Sequence, residues 1–262
     1  MANLDTFLKL AVIKVQGEQS DVVDETIIAE YPFKLNINGN DLCTLYCTPK
    51  NLEELAVGYL TSCGMSGTRQ DILNIEIDEK KNTAKIQLAD YAPSPKKEPL
   101  EKPIVVKIQT IYEIMKKNIA PTELFTETGG FHQVAIYDGE KEVVTIMDVA
   151  RHNAVDKVIG YCIRNDIDTR NKILVVSGRI SSDMLQKAEK AGIPIVASKS
   201  APTSLSIEKA DQAGITLVGF IRGERMNVYT HPNRIDLGDE LFRLITKKKR
   251  INYLRKYFQY LR

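Results

Sequence analysis

The hydrophobic pattern changes its period within one segment in the second half of the chain. Residues 132–137 alternate polar and apolar side chains, Asp138-Gly139 supplies a turn pair, and residues 142–147 return in strand-forming residues, which predicts a β-hairpin. Apolar residues then recur at helical spacing and predict a helix packed on a core: Val155, Val158, Ile159, Cys162 and Ile163. We expect Asp148 to be the N-cap of this helix.

The first turn of this helix carries cations. Arg151 and His152 lie at the positive end of the helix dipole, where they are mildly unfavourable unless an anion binds. Free N–H groups, a guanidinium and an imidazole together would bind an anion such as phosphate. At a spacing of four residues, His152 is expected to pair with Asp156, and Asn153 with Lys157. The alternative is a solvated helix start with a chance basic pair.

A repeating strand–helix pattern follows the hairpin and its helix. The continuous apolar run 173–176 is typical of a strand covered on both faces, two further strands are expected at 193–197 and 215–221, and helical patterns separate the three. Such βα units predict a largely parallel sheet with right-handed crossovers. Including the hairpin, the expected order is β-β-α-β-α-β-α-β.

The three strand ends share a chemistry suited to anions. They are followed by the segments SGR, SKSAPTS and RGER, which supply hydroxyls, glycines and basic side chains. Open α/β sheets bind ligands beyond the carboxyl ends of their strands, and arginine is well suited to phosphate. The pattern favours an anionic, nucleotide-like ligand held by Arg179, Lys199, Arg222 and Arg225. The alternative is a set of polar turns on a purely structural sheet.

The N-terminal half has a different pattern. It predicts a strand at 8–15, a hairpin around Asn38-Gly39, a helix capped by Thr48 with Pro49 in its first turn, and two strands within 71–90. The proline-rich stretch 91–103 is typical of an exposed connection. A further helix is expected around 108–115.

These patterns divide the chain into three parts. Residues 1–102 are expected to form an N-terminal α+β domain with its proline-rich connection, and residues 103–238 a ligand-binding domain. Residues 239–262 are basic and aromatic, and their spacing predicts a helix that packs on the body or on a partner subunit. Contact of this tail with a membrane surface or nucleic acid is the alternative.

Charge and hydropathy exclude several classes of protein. The formal net charge is only +2, so the overall balance of basic and acidic residues does not predict a nucleic-acid partner. No apolar run approaches the ~20 residues that span a bilayer, and no signal-peptide pattern is present. The sequence therefore predicts a cytoplasmic protein without a membrane span.

The chain has four cysteines and no C-x-x-C pair, so neither a disulfide framework nor a metal site is expected. Cys162 lies on the apolar stripe of its helix, and Cys43 and Cys47 fall on a predicted strand, which indicates buried or half-buried thiols. Cys63 follows the predicted end of a helix beside a glycine. It is the remaining candidate for a reactive thiol, although no base is nearby in the sequence.

The motifs TGGFH, RHNAVDKVIG, SGR, SAPTSL and GFIRGERMNVYT, in this order, closely resemble the formate dehydrogenase accessory protein family, FdhD/NarQ. TPKNLEELAVGYL resembles it as well. The resemblance covers roughly residues 30–235 and is most specific in the C-terminal half.

This resemblance implies a cytidine deaminase-like three-layer core, in which a hairpin precedes the βα units, with a smaller N-terminal α+β domain. It implies a homodimer that passes sulfur from a cysteine desulfurase to the bis-guanine-dinucleotide molybdenum cofactor, so that formate dehydrogenase becomes active. The cofactor is cargo, and the segment matched to its binding is Phe220, Ile221, Arg222, Gly223, Glu224 and Arg225, to which Arg179 and His152 are added as phosphate-binding and pocket residues. The H-x-E and P-C-x-x-C motifs of zinc deaminases are absent, so deaminase chemistry is not expected.

One departure from the family concerns the sulfur chemistry. Family members carry a C-G-x-C-G loop whose cysteine bears the persulfide, whereas the corresponding stretch near Pro103 contains no cysteine. Cys63, which replaces a family glutamate, is the weak candidate for a relocated carrier. Two alternatives stay open: a degenerate member that acts as a cofactor carrier or as a binding partner without transferring sulfur, and an enzyme acting on another nucleotide with His152 and Asp156 as its acid–base pair.

Overall fold

The computed structural model describes residues 6–89, 104–118 and 130–238. This part of the chain is mixed α/β, with four sheets and five α-helices. The expected connection at 91–103 and the expected tail helix at 239–262 both lie entirely outside the described residues. No helix among the described residues is long and apolar enough to cross a membrane.

The N-terminal region contains two separate sheets. Strands β1 (Phe7–Gln16) and β2 (Gln19–Ile28) form an antiparallel hairpin by themselves. The second sheet has the order β4-β3-β6-β5. Its strands are β3 (Tyr31–Ile37), β4 (Asn40–Cys47), β5 (Ile72–Asp78) and β6 (Thr83–Leu88), and helix α1 (Leu52–Ser62) packs on it. The predicted hairpin at Asn38-Gly39 and the strand pair within 71–90 are confirmed, whereas β2 was not predicted.

The main sheet has six strands in the order β13-β12-β11-β10-β8-β9. Strands β10, β11 and β12 are parallel, and the predicted hairpin β8–β9 joins antiparallel to β10. The strands are β8 (His132–Asp138), β9 (Lys141–Asp148), β10 (Ile173–Val176), β11 (Ile195–Ser198), β12 (Thr216–Arg222) and β13 (Arg225–Thr230). The predicted strand–helix order is confirmed, and β13 is an additional edge strand.

Helices cover both faces of this sheet. One core lies between the sheet and the helices α3 (Arg151–Arg164), α4 (Ser182–Lys190) and α5 (Ser204–Gln212). A second core lies on the opposite face against α2 (Ile108–Asn118). Beside α2, the short strands β7 (Val106–Lys107) and β14 (Ile235–Asp236) pair with each other. The main sheet is therefore the middle layer of three.

The two regions meet where α1 crosses α3 through glycines. A Cβ added to Gly58 would lie 1.8 Å from the Asp156 carbonyl oxygen, and one added to Gly160 would lie 1.9 Å from that of Glu54. Neither position has room for a side chain, because the helix backbones are in contact. Arg164, at the end of α3, forms ion pairs with Glu53 and Glu54 in the first turn of α1. The two helices are therefore antiparallel and closely packed.

The predicted start of α1 is wrong by three residues. The helix begins at Leu52 and its N-cap is Asn51, in the left-handed region at φ 54°. Thr48 does not cap it, because its hydroxyl accepts a hydrogen bond of 3.0 Å from the backbone N–H of Val149. A tertiary contact has thus replaced the expected local one.

Candidate functional site

The candidate site is the edge of the main sheet at which the parallel strands end. Val176, the last residue of β10, is paired with Val134 near the start of β8 and with Ser198 at the end of β11. Because β8 is antiparallel to β10, the beginning of the hairpin lies at the same edge as the carboxyl ends of the parallel strands. We call this edge the rim and define it by residues 132, 151–152, 177–180 and 198–203.

Hydrogen bonds join the rim loops to one another. The Ser198 hydroxyl donates to the Gly178 carbonyl at 2.7 Å and accepts from the Ser200 N–H at 2.9 Å. The Ser200 hydroxyl donates to the Ser177 carbonyl at 3.3 Å, and the Phe220 N–H donates to the Ser200 carbonyl at 3.2 Å. The loops after β10 and β11 and the end of β12 are therefore held as one surface.

His132 and Arg151 meet the first of these loops at Gly178. A Cβ on Gly178 would lie 3.5 Å from His132 Nδ1 and 4.0 Å from Arg151 Cδ. Burial, reinforced by the Arg151 charge, holds the pKa of His132 below its ordinary value. His132 was not among the predicted site residues. Its position at the start of a strand antiparallel to β10 is the signal that could have identified it.

The start of α3 differs from those of its neighbours. Ser181 caps α4 and Thr203 caps α5, each by accepting a hydrogen bond from a backbone N–H of the first turn. The N-cap of α3 is Ala150, and no side chain caps this helix. The first turn of α3 therefore presents uncapped N–H groups together with Arg151 and His152, which is an arrangement suited to an anion.

The predicted cap and side-chain pairs of α3 are wrong. Asp148 does not cap the helix, because one of its carboxylate oxygens lies 2.5 Å from Lys157 Nζ in a buried ion pair. Lys157 is therefore not the partner of Asn153, which donates instead to the Tyr46 carbonyl at 2.7 Å.

The pairing of His152 with Asp156 is also wrong. His152 Nδ1 lies 2.8 Å from Asp183 Oδ2 on α4, whereas Asp156 is buried and pairs with Lys187 at 2.7 Å. Burial is the main cause that lowers the pKa of His152, and Asp183 opposes it. The acid–base pair of the nucleotide-enzyme hypothesis is therefore not formed.

The predicted segment 220–225 lies partly at the rim and partly beyond it. Phe220 is 37 % exposed and has φ 52°, in the left-handed region. Ile221 is in the core against α2, so its side chain is not available to a ligand. Arg222 and Arg225 are paired across the β12–β13 hairpin with Gly223 and Glu224 in the turn.

This hairpin turn contacts α2. The Tyr112 hydroxyl donates a hydrogen bond of 2.9 Å to the Glu224 carbonyl. Arg222 and Arg225 are exposed there, as Arg179 and Lys199 are in their own loops. The basic side chains of the site therefore form two groups, Arg151 with His152 at the start of α3 and Arg222 with Arg225 beside α2.

The four thiols differ in exposure. Cys47 and Cys162 are completely buried, Cys43 is half-buried and Cys63 is exposed. Burial raises the pKa of Cys47 to about 12. Among the described residues, no cluster of three or more His, Cys, Asp or Glu side chains is placed to hold a metal ion.

Comparison with known proteins identifies the relatives of this chain. The model of the FdhD/NarQ family matches residues 28–102 and 88–236. A protein of Bacillus subtilis named Sulfur carrier protein FdhD is 37 % identical over 246 residues, which cover 84 % of this chain and 94 % of that protein. A protein of the same name from Geobacillus kaustophilus is 36 % identical over 241 residues, covering 82 % and 92 % of the two chains.

A solved structure has the same fold. The crystal structure of a formate dehydrogenase accessory protein from Desulfotalea psychrophila superposes with a TM-score of 0.77 at 26 % identity, covering 88 % of this chain and 100 % of that one. Together with the family match over most of the sequence, these similarities show that the chain belongs to the FdhD/NarQ family.

Proposed function

We propose that this protein is a sulfur carrier for the maturation of formate dehydrogenase and that it holds the bis-guanine-dinucleotide molybdenum cofactor at the rim as cargo. The observation that carries the proposal is the uncapped start of α3, which carries Arg151 and His152 and where Arg151 and His132 lie beside Gly178. The names of the relatives, sulfur carrier and formate dehydrogenase accessory protein, support the same role.

The rim residues suit a ligand with several phosphates. Backbone N–H groups and a guanidinium at α3 would hold one phosphate group, as helix starts do in other folds. Arg222 and Arg225 in the second group of cations would hold another, and Arg179 and Lys199 lie in the loops after β10 and β11. Two cationic groups along one edge match an elongated dinucleotide better than they match a mononucleotide.

The remaining parts of the proposal concern fold and partners. The hairpin β8–β9, helix α3 and the following βα units support a core of the cytidine deaminase type. A cysteine desulfurase would supply sulfur as a persulfide, and a homodimer would be the functional form. The molybdenum centre of the cargo would receive the sulfur, and this chain would bind, orient and release it.

Calorimetry with GDP, a fragment of the cofactor, tests the rim. We expect Arg151→Gln and Arg222→Ala each to weaken binding about tenfold, as the loss of one charge-assisted phosphate contact does. Arg170→Ala is the matched control, because Arg170 precedes β10 and lies at the opposite end of that strand. Equal affinity in all three variants would remove the site assignment.

A second candidate function is cofactor carriage without sulfur transfer. The observation that favours it is the absence of cysteine from the segment that corresponds to the family's C-G-x-C-G loop. Incubation with a desulfurase and cysteine, followed by mass spectrometry, separates the two functions. A gain of one sulfur atom on any cysteine supports transfer, and no gain with GDP binding intact supports the carrier.

A further inference from the structure

A buried amide beside the rim has a hydrogen-bond donor that no described residue satisfies. Asn118, the last residue of α2, is 2 % exposed, and its Nδ2 atom is shielded from solvent. Among the described residues, no oxygen accepts a hydrogen bond from this atom. A buried donor without an acceptor is unfavourable, so folded proteins rarely keep one unless something else binds it.

The orientation of this amide follows from its contact with Gln133 on β8. Gln133 Nε2 lies 2.7 Å from the Asn118 backbone carbonyl, which can only accept, so this atom belongs to the NH₂ group of Gln133. The same NH₂ group lies 3.4 Å from Asn118 Oδ1. The oxygen of the Asn118 amide therefore faces Gln133, and its NH₂ group points elsewhere.

Gln133 connects this amide to the rim. It follows His132 in β8, its backbone N–H donates to the Ser177 hydroxyl at 3.1 Å, and its carbonyl accepts from the Ser177 N–H at 3.0 Å. Successive side chains of a strand point to opposite faces of the sheet. His132 lies beside Arg151 on the α3 face, and Gln133 accordingly reaches Asn118 on the α2 face.

The part of α2 that carries Asn118 is apolar. Ile114 and Met115, four and three residues earlier on the same face of the helix, are at most 2 % exposed and pack in the second core with Ala135 of β8. An anion enclosed here would exchange its water for a neutral amide, which is unfavourable. A neutral carbonyl oxygen would instead supply the missing acceptor.

The second cationic group lies along the same helix. The Tyr112 hydroxyl bonds the Glu224 carbonyl in the turn between Arg222 and Arg225. Asn118 is six residues further along α2, which corresponds to about 9 Å of helix axis. A ligand whose phosphates bind the two arginines therefore needs to extend by about this distance to bring a ring to the amide.

We propose that the Asn118 NH₂ group donates to a ring carbonyl of the cargo and that Gln133 holds it in position. This inference rests on the proposed function, since it assigns one part of the cofactor to a residue of the same site. Guanine and pterin share the chemistry, because each is an aminopyrimidinone ring with an accepting carbonyl oxygen. Adenine has an amino group, a donor, at the corresponding position, so Asn118 would discriminate against it.

Calorimetry with GDP, ADP and free pterin tests the assignment. We expect Asn118→Leu, which replaces the amide by an apolar side chain of similar shape, to weaken binding of the recognised ring about tenfold and to leave ADP binding unchanged. Weaker GDP binding identifies guanine as this ring. Weaker pterin binding with unchanged GDP affinity identifies pterin.

Two further variants complete this experiment. Gln133→Leu should weaken binding of the same ring and again leave ADP binding unchanged, because the Asn118 amide is then free to rotate. Asn165→Leu is the matched control, since Asn165 is an exposed amide that follows the other end of α3. It should change none of the three affinities.

Thermal unfolding separates a ligand-binding asparagine from a structural one. We expect the Tm of Asn118→Leu to be unchanged or raised, because the substitution removes a buried donor that lacks an acceptor. A Tm lowered by more than about 4 °C would assign Asn118 to the stability of the fold and overturn the inference.

The binding data distinguish failure of this inference from failure of the proposed function. GDP and pterin affinities that are both unchanged in Asn118→Leu, or an equal loss of GDP and ADP binding, would overturn the role of Asn118 and leave the cofactor site standing. Failure of the unmodified protein to bind GDP or pterin at all would overturn the cofactor site, and the role of Asn118 with it.

Discussion

Lys157 donates a hydrogen bond of 2.5 Å to Asp148, and both side chains are 0 % exposed. The same ammonium donates to the Thr48 carbonyl at 2.9 Å, and the carboxylate accepts from the Thr48 N–H at 3.1 Å. The pair therefore connects the end of β9 and helix α3 to the segment that leads into α1. It is a buried ion pair whose hydrogen bonds to the Thr48 backbone join the two regions of the protein.

Removing one partner of this pair should be strongly destabilising. We expect Lys157→Met to lower the free energy of unfolding by about 3–5 kcal/mol, since it leaves an uncompensated buried carboxylate. Chemical denaturation measures the change. The matched control is Arg69→Ala, because the Arg69–Asp166 pair is 65 % and 59 % exposed and such pairs typically contribute at most about 1 kcal/mol. Equal effects of the two substitutions would contradict the expectation.

Alanine should not be tolerated at either of the two glycines through which α1 and α3 touch. We expect Gly58→Ala and Gly160→Ala each to cost about 3 kcal/mol of stability or more, because a methyl group would force the helix backbones apart. Thermal unfolding provides the measurement. Gly178→Ala is the glycine control, since its added Cβ would meet nothing nearer than 3.5 Å. A Tm unchanged in Gly160→Ala would show that the helices are less closely packed than described.

Ser198 should hold the rim loops together. Its buried hydroxyl bonds both Gly178 and Ser200, so Ser198→Ala leaves the Ser200 N–H and the Gly178 carbonyl without these partners. We expect a loss of about 1–3 kcal/mol of stability and weaker GDP binding by calorimetry. Ser204→Ala, an exposed position in the first turn of α5, should change neither quantity. Unaltered GDP affinity in Ser198→Ala would mean that the loops do not shape the site.

Anion binding at the rim should strengthen in acid. Burial lowers the pKa of His132 and His152, so both imidazoles are neutral at neutral pH in the free protein. A bound phosphate favours the charged form and takes up protons, so GDP affinity should rise as the pH falls from about 8 to about 6. The double variant His132→Gln/His152→Gln should show a weaker pH dependence. A steeper or unchanged dependence in this variant would exclude the histidines.

The lowered pKa values of His132 and His152 also determine how the free energy of unfolding depends on pH. A histidine whose pKa is lowered by folding contributes stability above its unfolded pKa, and this contribution is lost as the pH falls. The free energy of unfolding should therefore decrease on acidification while GDP affinity increases. Denaturation at a series of pH values, with and without GDP, distinguishes the two trends.

Local patterns were sufficient for most of the main sheet. Continuous apolar runs such as 173–176 have few alternatives to a covered strand, and glycine after a helical pattern marks its end, as Gly192 does after α4. Because β10, β11 and β12 were predicted to be parallel, their carboxyl ends were expected to lie at the same edge of the sheet. Strand β13 was missed because it follows a tight turn and is half-exposed, so its apolar alternation is short.

Contacts between residues distant in the sequence decided the side-chain pairings that the local pattern could not predict. Asp148 has the chemistry of an N-cap, but a lysine nine residues later and Thr48, 100 residues earlier, bind it instead. His152 similarly pairs with Asp183 on the next helix rather than with Asp156 on its own.

The backbone contact at Gly58 and Gly160 also limits how the two regions can move. Where two helices touch through their main chains, neither can slide or rotate against the other without breaking that contact. The end of α1 and the start of α3, with His152, should therefore keep a constant separation.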